Sequence, residues 1–543
     1  MHRKILYLSV LIVLILSSCT EKINVDTILL SSKIYAVDSS FNRYEAIAIN
    51  ADTIVAIGSK KEITGRYTSE NTVDLGEKVI SPGLIDAHCH FLAYGIDQNE
   101  LDLKNVISFD DMIDKVTQFA SNQNYPVIVG RGWNEEDWAA KTRPSNYKLN
   151  FLFPETPVIL QRIDGHAVLA NQAALDLAGI DADTKIDGGH VELINGFPTG
   201  LLVDAAASKL LNMLPPPSDE DMAEALLKAQ AKCISLGLTG VADAGLTGRE
   251  VACIDSMQKA GSLHMRVYAM AAPDKDDIEK YYPDGPIYRD KLVVSSVKIY
   301  CDGALGSRGA WLKTTYCDDT TKLGLPQREM SFYRNWANWC FENGFQMNTH
   351  CIGNKANQEI LKIYSEVLPV NNDLRWRIEH AQIVDHEDMH YFREYNILPS
   401  VQPTHAVSDM YMAKKRLCSE ERLKGAYAYR DLLDTTGILP LGTDFPVEEI
   451  DPLGTYYAAI NRRSTKRDVF RPEQKLDAIS TLKGMTIWAA KANRMDHWVG
   501  SLEVGKKADL TIYSEDILQS REKGNLRVDA TMIGGKWVYG PNN

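Results

Sequence analysis

Ser81-Pro82-Gly83-Leu84-Ile85-Asp86-Ala87-His88-Cys89-His90 is the stretch on which the reading of this chain turns. Pro82-Gly83 breaks the backbone, a β-prone run follows, and His88 and His90 stand two residues apart at its end. In a strand, residues i and i+2 share a face, so both imidazoles point the same way. Two neutral ring nitrogens on one face suit a divalent transition metal. A lone His-x-His is a weak sign, and its place after a β run and a Pro-Gly break strengthens it.

Outward from there, residues 81–494 alternate apolar strands with helical stretches. PVIVGRG (126–132), LTGVADAG (238–245), LVVSSVKIYCDG (292–303), GFQMNTH (344–350), WRIEHAQ (376–382), ILPSVQP (397–403) and ILPLGTD (438–444) read as strands. DMAEALLKAQAKCISLG (221–237) and NKANQEILKIYSEV (354–367) read as helices. Such alternation predicts parallel βα units and an α/β fold. About eight strands would close a (β/α)8 TIM barrel, with chemistry at the C-terminal strand ends. His350, His380 and Asp444 fall at such ends, and Lys298 lies inside an apolar strand. A charged Lys there is costly unless paired or neutralised. Carbamylation by CO2 is one solution, giving a carboxylate able to bridge two metals; an ion pair with a nearby acid such as Asp302 is the other.

Residues 19–80 and 495–543 hold short strands, with a tight Ala51-Asp52 turn near one end and a Gly534-Gly535 hairpin signal near the other. The two segments are expected to build one small composite β-sandwich domain. Residues 81–494 form the barrel, with an insertion over its mouth at about 133–217, rich in Gly, Pro and Asn in places.

The 543 residues carry 59 Lys+Arg against 72 Asp+Glu, a net charge of −13. That balance, with no long basic stripe, speaks against a nucleic-acid binder. Hydrophobic residues at 45% and charged residues at 24% describe a globular chain able to bury a large core. Nine Cys are too sparse for a disulfide scaffold. Cys89, Cys301 and Cys351 read as small buried residues beside the candidate metal strands; pairing in an oxidising compartment is the alternative.

Arg3 and Lys4 precede an apolar run from Ile5 to Leu16. It is shorter than the roughly 20 residues a spanning helix needs, so residues 1–18 read as a signal peptide. Leu16-Ser17-Ser18-Cys19 resembles a bacterial lipobox, which implies lipidation of Cys19. An ordinary secretory signal that contains a Cys is the plainer alternative. The expectation is a cell-envelope lipoprotein held to the membrane by lipid alone. The outer membrane is preferred because Thr20 stands where an inner-membrane retention Asp would be.

Taken together, SPGLIDAHCH, RGWNEEDW, RIDGHAVLAN, VKIYCDGALGSRGA, THCIGN, RIEHAQ, QPTHAVSD, GTDFPV and GSLEVGKKADL resemble the amidohydrolase superfamily in order and spacing. The likeness runs from about Asp26 to Tyr539 and is greatest to the branch containing N-substituted formamide deformylase. It implies a distorted (β/α)8 barrel beside a small composite β-sandwich. It also implies metal-dependent hydrolysis of a non-peptide C–N bond in a linear amide. By this resemblance His88, His90 and Asp444 bind a first metal, His350 and His380 a second, and a carbamylated Lys298 bridges them. Zinc is the expected metal, with manganese or iron as alternatives. Asp444 would be the general acid/base. Among the loop residues, His166 and His405 are candidates to orient substrate and stabilise an oxyanion. Trp133 and Trp138 are candidates for an apolar wall. Arg308 would bind an anionic group or pair with a barrel acid. The partner is a small-molecule substrate, and a homo-oligomer is compatible. Ester or lactone hydrolysis, dehydration or isomerisation on the same site is a second reading; a non-catalytic binding protein is a third. His386-Glu387-Asp388-Met389-His390 matches H-E-x-x-H literally. It follows a barrel strand into the next helix, away from the strand ends.

Overall fold

The computed structural model describes residues 22–540 except 99, 122–125, 136–137, 141–142, 164, 166, 187–188, 215 and 523. Seven strands form the barrel wall: β1 Leu84–Cys89, β2 Leu238–Leu246, β3 Arg266–Ala271, β4 Leu292–Tyr300, β5 Gln346–His350, β6 Arg377–Glu379 and β7 Leu398–Ser400. They neighbour one another in chain order, every pair parallel. The eighth position is held by residues 439–445, which run without regular strand pairing. Leu441 bridges Val401, the Gly442 amide donates to Val401 O (3.0 Å), and the Asp444 amide donates to His88 O (2.8 Å). This segment nearly closes the barrel against β1. A Cβ on Gly442 would stand 2.6 Å from the His88 nitrogen, so no larger residue fits the seam.

Helices cover the outside. Asp219–Ser235 starts with a reciprocal Ser218–Asp221 capping box and buries Met222, Leu226, Ala229 and Cys233 at helical spacing. Asn354–Val367 buries Ile360, Leu361 and Tyr364 in the same way. Each large apolar side chain so buried stabilises the fold by about 1.5–3 kcal/mol.

Both chain ends meet in one eight-stranded sheet. Thr27–Tyr35, Arg43–Asn50, Thr53–Gly58 and Val79–Pro82 join Leu510–Tyr513, Val528–Ile533 and Lys536–Tyr539, with Asn71–Asp74 pairing on Thr27–Tyr35. Alternate residues supply its two apolar faces, Leu29, Ile47 and Ile49 on one and Ile28, Leu30, Ala46 and Ala48 on the other. The sheet locks to the barrel through Asp509, which takes Arg266 of β3 at 2.6 and 2.8 Å in a buried two-pronged ion pair.

A third sheet corrects the sequence reading. PVIVGRG was expected in the barrel, yet Ile128–Trp133 pairs in parallel with Leu101–Asp102 and Val158–Arg162 in a separate six-stranded sheet. An apolar run buried in a parallel pair reads alike in either sheet. The inserted unit therefore begins near Leu101 and ends near Asp204. Among the described residues no helix is long and apolar enough to cross a membrane. Cys19 and the whole expected signal lie outside the described residues.

Candidate active site

Six side chains converge at the C-terminal end of the barrel. β1 delivers His88 and, just past its end, His90; β4 delivers Lys298; β5 ends in His350; His380 follows β6; Asp444 sits on the closing segment. His380 and Asp444 have φ of 71° and 62°. Non-glycine residues held there store strain of order 1–3 kcal/mol, and such strain gathers at functional sites.

The hydrogen-bond partners fix which ring nitrogen faces inward. His88 Nδ1 stands 2.5 Å from Glu379 Oε2 and donates to it. His90 Nδ1 donates to Ala244 O (3.2 Å), and His380 Nδ1 to Gln402 Oε1 (2.8 Å). Their Nε2 atoms are left with lone pairs. Asp444 Oδ1 is buried and without a hydrogen bond, although His90 Nε2 is 3.3 Å and His88 Nε2 3.6 Å away. Lone pairs facing an unpartnered carboxylate oxygen call for a cation between them. His350 Nε2 and His405 Nε2 are also buried and unpartnered, the latter 3.8 Å from Asp444 Oδ2. At this end of the barrel two residue groups have donor atoms close enough to hold an ion: His88, His90 and Asp444, and His380, His405 and Asp444. The His350 ring lies 4.5 Å from that of His380. Imidazole and carboxylate donors of this kind fit a divalent transition metal.

The electrostatics agree. Burial first, then the Lys298 charge, lowers His88 to about 4 and His350 to about 3. Neutral imidazole is the metal-binding form. Burial pushes Lys298 down to about 8, which raises the fraction of free amine above that of an ordinary lysine. That amine lies 3.1 Å from His88 Nε2 and over the Tyr300 ring. The Asp302 pairing considered for Lys298 is not made. Asp302 instead accepts from the amides of Trp311, Ile352 and Gly353, tying the loops after β4 and β5 together.

Glu379 and Gln402 had no role assigned from sequence. Burial would raise the Glu379 carboxyl, but the Arg377 guanidinium and the His88 ring outweigh it and hold it at about 2. The alternation Arg377-x-Glu379 in a buried strand puts both on one face, and that was the available signal. A carboxylate behind a ligating imidazole sets its tautomer and raises its basicity.

The apolar wall needs correction, the two uses weighed for Arg308 are resolved, and a disulfide is added. Trp133 and Trp138 are 0% and 1% exposed, packed with Leu149 and Leu160 in the core of the inserted sheet, so they form no wall at the site. The Trp133 indole donates to Leu160 O. Arg308 is no free anion-binding group; it pairs with Asp318 at 3.0 Å, which Arg416 also engages. Cys317 and Cys418, which sequence spacing did not pair, form a disulfide, while Cys89, Cys301 and Cys351 are free and buried. His405 does lie at the site. His166 lies outside the described residues. In the H-E-x-x-H segment His386 lies in a 3-10 turn and His390 in the helix that follows, and among the described residues neither belongs to a group of three donors close enough to hold a metal.

A nearly closed parallel barrel with imidazoles and an aspartate at its strand ends defines a metal-dependent hydrolase. Residues 71–539 match the model of the amidohydrolase family, and the chain belongs to that family. It is 32% identical over 95% of its length, and 91% of the relative's, to Protein LONG AFTER FAR-RED 3 of Arabidopsis thaliana. It is 25% identical to N-substituted formamide deformylase of Arthrobacter pascens, over 95% of this chain and 98% of that one. Its fold is shared with an uncharacterized metal-dependent hydrolase from Pyrococcus horikoshii, at a TM-score of 0.78 and 24% identity over 92% of this chain and 99% of that one.

Proposed function

We propose that the protein hydrolyses the C–N bond of a linear, N-substituted amide. The observation that carries this is Asp444, a buried carboxylate whose unpartnered Oδ1 lies near the inward Nε2 atoms of His88 and His90. His88, His90 and Asp444 would hold one cation, and His350 and His380 a second, with Lys298 as a bridging carbamate. Zinc, manganese or iron held by these residues would supply an acidic water and a Lewis acid for the amide carbonyl. Asp444 takes the proton of the attacking water and delivers it to the departing nitrogen, since an amine leaves poorly unless protonated. His405 Nε2, which has no other partner, donates to the carbonyl oxygen as charge gathers there. Glu379 and Gln402 hold the His88 and His380 rings in place. The deformylase relative supports a linear amide over a ring substrate.

The test is a panel of N-acyl amines, esters and lactones given to protein purified without chelator. Amides should be turned over fastest. Faster turnover of esters or lactones sinks the proposed bond. We also propose that the protein sits in a bacterial envelope, most simply on the outer membrane, with lipid on Cys19. The lipobox supports this, and the Cys317–Cys418 disulfide suits an oxidising compartment. Lipid labelling that survives Cys19→Ala would refute it.

A further inference from the structure

Two short basic runs stand far apart in the sequence. Residues 410–426 and 461–471 together carry ten Lys and Arg against three Asp and Glu, in a chain whose net charge is −13. The fold sets the two runs side by side. Arg471 Nη1 of the second donates to Leu423 O (2.7 Å) and Ala426 O (2.9 Å) of the first. The Tyr411 hydroxyl donates to Asp468. The Lys466 ammonium lies 5.3 Å from the Tyr411 ring, and that of Lys414 lies 5.7 Å from the Phe470 ring. The Ser464 amide donates to Asp468 O (2.9 Å), closing a tight loop with Lys466 and Arg467 at its tip.

Part of this charge is matched locally. Arg416, Lys424, Arg463 and Arg471 pair with Asp318, Glu421, Glu522 and Glu473, and Arg462 is buried. Five cations remain. Lys414, Lys415, Lys466 and Arg467 are exposed, Arg422 is half-buried, and among the described residues none of the five has an acid partner. Arg422 reaches only the carbonyls of Thr314 and Thr315 and the Cys317 sulfur. Against them stand Glu420, which is exposed, and Asp468, which Tyr411 holds. An ordinary solvated face mixes both signs. Here one sign dominates a face of an acidic protein.

We infer that this basic face binds the anionic headgroups of a lipid bilayer. The acidic body as a whole is repelled by such a surface, so it approaches through the face where its charge is reversed. Each Lys or Arg near an anionic bilayer strengthens binding about fivefold. Tyr411, 44% exposed among these cations, is the kind of side chain that settles at a headgroup interface, which favours a bilayer over a soluble polyanion. The biological meaning rests on the proposed envelope location; the affinity of the face stands on its own residues. The helix Met410–Leu417 follows directly on His405–Ser408, so docking turns the His405 side of the site toward the bilayer.

The test uses the chain without residues 1–18 and with Cys19→Ala, which keeps every described element and carries no lipid. Its binding is measured by co-sedimentation with vesicles of phosphatidylglycerol and phosphatidylethanolamine in equal parts, and with vesicles of phosphatidylcholine alone. The anionic vesicles should bind at least about tenfold more tightly. The difference should vanish as ionic strength rises from about 0.01 M to about 1 M, where the Debye length falls to about 3 Å. Lys414→Gln, Lys415→Gln, Lys466→Gln and Arg467→Gln combined should remove the preference, with unfolding midpoint and metal content unchanged. The same number of cations removed elsewhere, by Lys61→Gln, Arg66→Gln, Lys280→Gln and Lys536→Gln, should leave it within about twofold. No preference for the anionic vesicles overturns the inference, as does an equal loss in both quadruple variants. If heparin still holds the chain at an ionic strength that frees it from the vesicles, a soluble polyanion is the partner and the inference is overturned. Lipid labelling of the full chain in cells separates the two readings. Vesicle preference without lipid on Cys19 removes the proposed anchor and leaves the face standing. Lipid on Cys19 without vesicle preference keeps the anchor and overturns the face.

Discussion

Glu379→Gln probes the link between fold and metal site most sharply. The native carboxylate accepts the His88 Nδ1 proton at 2.5 Å and faces Arg377 Nε at 2.7 Å, with all three side chains wholly buried. Glutamine keeps the shape and one oxygen but removes the charge that offsets the guanidinium. Leaving a buried charge uncompensated costs ~3–5 kcal/mol. Arg377 retains Ala87 O, Ser400 Oγ and Asn493 Oδ1 as acceptors, so the low end of that range is expected. Separately, losing the carboxylate behind a ligating histidine weakens metal binding about 10–100-fold, or ~1.4–2.7 kcal/mol. The first effect is read from guanidinium unfolding of metal-free protein, the second from zinc titration against a chelating dye. Arg377→Met is the control, since it removes the guanidinium and leaves the His88 contact. A Glu379→Gln protein that matches wild type in unfolding midpoint and, within about twofold, in zinc affinity would refute the role given to Glu379.

Other consequences are open to direct measurement. Arg266→Met strands Asp509 between barrel and sheet, and a loss of ~3–5 kcal/mol is expected in denaturant unfolding; an unchanged midpoint contradicts the lock. Replacing Cys317 and Cys418 by Ser opens a link spanning 101 residues and should cost ~2–4 kcal/mol, so equal stability of oxidised and reduced protein would count against the bridge. Glu379 is held at about 2 in the fold against an ordinary 4.5, so the unfolded chain takes up its proton first as pH falls. Its contribution is complete above about pH 4.5 and is lost toward pH 2. Metal-free wild type should lose stability in that window and Glu379→Gln should lose less; superimposable acid curves would show the reasoning to be wrong.

The barrel was legible because its strands are short apolar runs ending in chemically distinctive residues. His88, His90, His350, His380 and Asp444 each terminate such a run, and the structure brings them together with Lys298. What stayed hidden depends on pairing between distant segments. Glu379 lies across from His350 on β5 and Ser400 on β7, a register no local pattern reveals. Ile128–Trp133 has the same apolar character as a barrel strand, and only its partner, Val158–Arg162, shows that it belongs elsewhere. Trp133 and Trp138 followed that error, since aromatics near a supposed mouth read as recognition until a core is seen around them. Cys317 and Cys418 lie 101 residues apart and carry no spacing signal. Arg308 left its two uses balanced until Asp318 was found beside it.

The central claim is that these six residues assemble a metal site that drives hydrolysis. A crystal structure of protein purified without chelator, with anomalous data collected at the zinc, manganese and iron edges, tests it most directly. Anomalous peaks are predicted among His88, His90 and Asp444 and beside His350 and His380, with added density on Lys298 Nζ for a carbamate. A metal held instead by His386 and His390, or a fully occupied ion with no contact to Asp444, would contradict the account.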